Sequence, residues 1–66
     1  MAVVKVIELL AESNLSWEDA TKFAVKEAAK TIHNIQSVYV EHMQCVVEGQ
    51  EIVKYRVNVK ISFLVD

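Results

Sequence analysis

"VKYRVNVKISFLV", Val53 to Val65, decides the fold. Val53, Tyr55, Val57, Val59, Ile61, Phe63 and Val65 are apolar, and Lys54, Arg56, Asn58, Lys60 and Ser62 alternate with them. Only Leu64 breaks the polar set. Sustained period-two alternation is the pattern of a β-strand with one buried face. At about 3.3 Å per residue the stretch spans roughly 43 Å. A compact chain of 66 residues is expected to have a radius of gyration of roughly 11 Å, a body about 28 Å across. The strand overruns its own domain and needs cover from outside it.

Bulk composition points the same way. Sixty-six residues make a single domain, 1–66, and a chain this short buries only about 60% of its unfolded surface. Cys45 is the one cysteine, so no internal disulfide supports the core, and no ligand set is spaced for zinc. Assembly with other copies remains as the support, and a hydrophobic fraction of 53% supplies apolar side chains for it. Nine acids against seven bases give a net charge of −2, which argues against nucleic acid as a partner. "MAVVKVIELLAE" is too short and too charged for a membrane span or a signal peptide. With a lone thiol, this leads us to expect a reducing, cytoplasmic setting and no membrane partner.

The other elements are read outward from the long strand. "VVKVIELL", 3–10, reads as a first strand, and "AESNLS" as a polar connection. "SWED" fits a capping box in which Ser16 accepts from the Asp19 amide and Asp19 reaches back, with Ser13 as a rival cap. Trp17, Ala20, Phe23, Ala24, Ala28 and Ile32 then recur at helical spacing, predicting a helix over 16–33 with an alanine-rich stripe that lets a sheet approach closely. Asn34 suits a left-handed residue after it. "SVYVEHMQCVV", 37–47, is a second strand, "EGQE" a turn around the one glycine, and the long strand covers 52–65. The order β-α-β-β places the chain in the α+β class, with the last two strands as an antiparallel hairpin. Pairing Val47 with Ile52 sets Val46, Val40 and Val38 beside Val53, Val59 and Ile61 on the core face. Ser37, Tyr39, Glu41, Met43 and Cys45 then share the other face with Ser62, Lys60, Asn58, Arg56 and Lys54. Tyr39, Met43 and Cys45 are too apolar for a solvated face, so that face or the overhanging strand end is expected to meet a neighbouring subunit or a ligand.

"KVIELLAES", "IQSVYVEHMQ" and "YRVNVKISF", in this order and length, resemble the dodecins over essentially the whole chain. "SWEDA" and "KYRVNVKISF" are similar to a subset of them better known for cation binding or missing flavin. The resemblance implies a hollow homododecamer, each subunit a three-stranded antiparallel sheet wrapped around one helix. It also implies flavin (riboflavin or FMN) or a similar planar small molecule at subunit contacts, and a non-enzymatic storage or binding role. The family's stacking tryptophan falls at Ser37 and its ring-edge glutamine at Arg56. Its phosphate-gripping basic residue falls at Gln44. None of the three has the family's residue type; Arg56 can donate to a carbonyl or lay its plane on a ring. The alternative is a dodecin that binds calcium, or serves only as structure, without flavin.

Simpler readings stand beside these. Trp17, a tempting replacement stacker, sits at a position suited to core packing. Arg56 and Lys60 can form an anion site, but pairing with Glu41 across the strands is the expected use. His42 and Cys45 are three apart on a strand, so they point to opposite faces and cannot chelate together. His33 near a helix end suits the dipole there. Glu8, Glu12, Glu18 and Asp19 lie near the first strand end and helix start, where carboxylates can gather around Ca²⁺; capping and solvation explain them equally well. No catalytic grouping is evident in the sequence, and a strand cysteine is ordinarily an inert small hydrophobe.

Overall fold

The computed structural model describes residues 2–65. Strand β1 spans Val4–Ser13, helix α1 Trp17–Ala28, strand β2 Ile35–Glu48 and strand β3 Glu51–Leu64. The sheet order is β1-β3-β2, with both pairings antiparallel. The long strand is therefore central, and β1 and β2 are both edges. The molecule measures 51 × 20 × 13 Å, with a radius of gyration of 13.5 Å. It is longer and looser than a compact chain of this size, and the β2–β3 hairpin continues past the end of β1 at Ser13.

The helix lies on one face of the sheet. Ala20, Ala24 and Ala28 are buried against Val57, Val59 and Ile61, which are fully enclosed, and Ala11 of β1 completes the core. Ile7, Leu9, Val25, Ile32, Ile35, Val38 and Val40 pack around it. Alanine brings the helix backbone close to the sheet, so the β-branched side chains of β3 fill the gap. Phe23 and Trp17 flank this contact instead of entering it, and remain partly exposed.

The helix starts where its cap demands. Ser16 is extended, and its hydroxyl accepts from the Asp19 amide at 2.9 Å, a bond that contributes about 1 kcal/mol. Asp19 does not close the box as expected; its carboxylate accepts from Ser13 Oγ at 2.6 Å. Ser13 Oγ in turn accepts from the Leu15 amide, so the rival cap is instead the brace of the preceding turn. The helix ends at Ala28, short of the expected residue 33. The Lys30 and Thr31 amides bond three residues back, to Glu27 and Ala28, a tightened final turn. Asn34 then takes φ 62°, the expected left-handed position, and the chain enters β2. At the other turn Gly49 has φ 64° between the paired Glu48 and Glu51. Positive φ at the first central residue suits a two-residue hairpin loop.

Two differences from the expected strands matter for function. First, β1 runs to Ser13, with Ala11, Glu12 and Ser13 opposite Val57, Arg56 and Tyr55. Second, the hairpin register is broken by bulges. Val47 pairs with Ile52, and Ser37 to Val40 pair with Ser62 to Val59, as expected. Between them Val53 is an extra residue on β3 and Glu41 one on β2, so Val46 meets Lys54, Gln44 meets Arg56 and Met43 meets Val57. An extra residue inverts the in-out parity of the strand beyond it. Met43 and Cys45 thus lie on the helix side, beside Val57 and Tyr55, and the expectation that they share the opposite face is corrected. His42 and Gln44 take their place there. The bulge turns the more apolar pair toward the core side and the more polar pair away.

Candidate functional site

The face of the sheet away from the helix carries the residues singled out for ligand contact. Ser37, Tyr39 and Gln44 reach it from β2, opposite Ser62, Lys60 and Arg56 of β3. Tyr39 is 64% exposed. The Ser37 hydroxyl is engaged with Ser62 Oγ at 2.5 Å. Gln44 and Arg56 are direct cross-strand neighbours. The four residues form two groups, since the step along β3 from Arg56 to Ser62 covers roughly 20 Å at ordinary strand rise. One protomer therefore does not bring Ser37 and Arg56 together around a single small molecule.

Arg56 sits at the centre of a polar row, Glu12–Arg56–Gln44. Its Nε and Nη2 donate to Glu12 Oε2 at 2.7 and 2.5 Å, and Lys54 Nζ lies 3.5 Å from Glu12 Oε1. The hydrogen bond from Arg56 holds the Glu12 carboxyl below its ordinary value; the charges of Arg56 and Lys54 add to this, against the opposing effect of desolvation. The expected pairing of Arg56 with Glu41 is corrected, because Glu41 holds Lys60 at 3.3 Å. The extended β1 explains the change by placing Glu12 beside Arg56 on the central strand's other flank. Glu12 is the residue that sequence reasoning missed in this role. Its signal was present: Glu8, Leu10 and Glu12 continue the alternation with Leu9 and Ala11 past the assigned strand end.

Trp17 lies on the helix side. Its indole N–H donates to the Gln44 carbonyl at 3.0 Å. Its ring meets Tyr55 edge-on, with centroids 5.3 Å apart. It pins the first turn of α1 to both strands of the hairpin from the rim of the core, not within it as expected, and stays 37% exposed.

The carboxylates near the helix start disperse: Glu18 pairs with Lys22, Asp19 with Ser13 and Glu12 with Arg56 and Lys54. Among the described residues no three His, Cys, Asp or Glu side chains are grouped to hold a metal within one protomer. His42 and Cys45 fall on opposite faces, opposite Asn58 and Tyr55. Among the described residues no helix is long and apolar enough to cross a membrane.

A family model described as dodecin matches residues 3–66. The chain belongs to the dodecin family. Among curated dodecins, the calcium dodecin of Mycobacterium tuberculosis is 32% identical over 63 residues, covering 96% of this chain and 89% of that one. The crystal structure of that calcium-chelating antigen, with a novel calcium-binding site, superposes with a TM-score of 0.86 at 30% identity, covering 97% and 91% of the two chains. A crystal structure of a mutant dodecin of Thermus thermophilus shares the fold at a TM-score of 0.94 and 23% identity, covering 100% of this chain and 98% of that one. The expected dodecin β-α-β-β architecture is the observed one.

Proposed function

We propose that this dodecin chain is a non-enzymatic binding protein that acts in the cytoplasm as a hollow homododecamer. Between its subunits it holds a planar small molecule, flavin (riboflavin or FMN) in the first instance. The observation that carries the proposal is the division of the candidate residues. Ser37 and Tyr39 sit at one end of the outer face and Gln44 and Arg56 at the other, so a ligand that meets both groups must lie between protomers. The exposed apolar side chains Val4, Val6, Leu10 and Tyr39 support burial of that face in an assembly.

The residues present fit a flavin in a modified way. Ser37 offers no ring to stack on, but Tyr39 on the same face offers an exposed one. An aromatic pair contributes about 0.5–1.5 kcal/mol beyond area burial. Arg56 uses two of its N–H donors on Glu12, and an arginine has five, so further donors can meet ring carbonyls. Gln44 replaces a cationic phosphate grip with a neutral amide.

Calcium is the second reading, favoured by the 32% identity to a relative named for that ion. Light scattering coupled to size exclusion, with riboflavin fluorescence monitored during titration, tests the first reading. A dodecamer that quenches riboflavin is the expected result. A folded protomer that stays single at micromolar concentration would overturn it. Unquenched riboflavin together with a calcium-dependent rise in melting temperature would replace flavin with the ion.

A further inference from the structure

Arg56 is the only arginine in the chain, and it is not free to act as an open cation. Two of its donors converge on one oxygen of Glu12. The other oxygen of the same carboxylate faces Lys54. One anion thus serves two cations on the outer face, and all three side chains retain solvent access, 31% for Arg56, 34% for Glu12 and 48% for Lys54. Gln44, on the opposite flank of Arg56, adds no charge. The cluster therefore carries one net positive charge, where the two cations alone would carry two. An arginine held along two donors also keeps a fixed guanidinium plane.

We propose that Glu12 sets the charge selectivity of this face. It pins Arg56 and shares Lys54, so the face takes an uncharged carbonyl-bearing ring and disfavours a phosphate-bearing one. The inference rests on reading Arg56 as a ligand contact, and it narrows the ligand class to unphosphorylated molecules of the riboflavin kind. Glu12 acts through Arg56 and is a positioning residue. A phosphate draws on net positive charge and on the free fork of an arginine, and Glu12 diminishes both. A neutral ring edge needs only directed donors, which remain.

The sole arginine provides the test. In assembled protein labelled with ¹⁵N-arginine, the Arg56 Nε–H signal is monitored during titration with inorganic phosphate. The native protein is expected to respond weakly. Glu12→Gln should respond at severalfold lower phosphate, and the gain should fade at high salt. Lys54→Gln leaves the Glu12–Arg56 pair in place and is expected to show no gain; a gain there would overturn the proposal even if Glu12→Gln did not fold. An equal phosphate response in the native protein and Glu12→Gln would also overturn it. In parallel, fluorescence quenching compares riboflavin with FMN. Glu12→Gln should shift preference toward FMN by roughly threefold to fivefold, the scale of a partly exposed ion pair. If flavins bind and the preference does not move, Glu12 does not set selectivity. If no flavin binds to any variant, the flavin reading fails, and the phosphate response alone decides the role of Glu12.

Discussion

On the helix side of the sheet, Val57, Val59 and Ile61 are wholly enclosed beneath three alanines of α1 and the apolar side chains around them. On the other side, the intervening residues of the same strand reach laterally for partners: Arg56 and Lys54 to Glu12, Lys60 to Glu41, Ser62 to Ser37. One strand thus serves two kinds of surface. The first gains from apolar area removed from water and has one solution. The second is held by partly exposed polar pairs, each weak because water and salt screen it, with uncovered apolar residues among them. The enclosed apolar residues are gathered on one face, and the other keeps its polar pairs and apolar side chains open to solvent. Within this small fold, substitutions on the outer face are expected to leave the core in place, because the core does not draw on that face.

That contrast can be tested by changing one face at a time. Ile61→Ala strikes the enclosed side and should have the largest effect, a loss of about 2–5 kcal/mol. Chemical denaturation at matched protomer concentration measures it; a loss well under about 1 kcal/mol would mean that the core lies elsewhere. Ser37→Trp changes the outer face and should leave the fold intact while strengthening riboflavin binding by up to roughly tenfold, the value of an added aromatic contact. An unchanged quenching curve would show that Ser37 does not meet the ring. The smallest effect belongs to the Glu12 pair. Because the folded-state pKa of Glu12 is lowered, the folded protein binds fewer protons there than the unfolded chain, and stability rises with pH across that range. The native protein should therefore melt above Glu12→Gln at neutral pH. The gap should close as acid takes the pH down through the lowered Glu12 pKa. A gap that persists into acid would assign the difference to something other than the Glu12 charge.

Much of this was legible in the residues. The alternation of Val57, Val59 and Ile61 matched their burial, and the alanine spacing matched the helix face. Ser16, Asn34 and Gly49 marked real boundaries. The bulges were missed, although Val38 and Val40 followed by Met43 and Cys45 show the apolar phase slipping by one residue at Glu41. The pairing of Glu12 with Arg56 is not legible in the sequence, because a short polar stretch after a strand looks like a loop until a partner strand is placed beside it. The helix end was overrun because Ile32 keeps the helical spacing while packing from a turn.

The sequence by itself determined the periodicities and the turns, since these arise from backbone preferences and side-chain direction within a few residues. Only the tertiary structure decided that Arg56 stands between Glu12 and Gln44, and that Met43 turns toward the helix. Those outcomes depend on hydrogen-bond register between segments far apart in the chain, where a single extra residue in a strand reassigns every side chain beyond it to the other face.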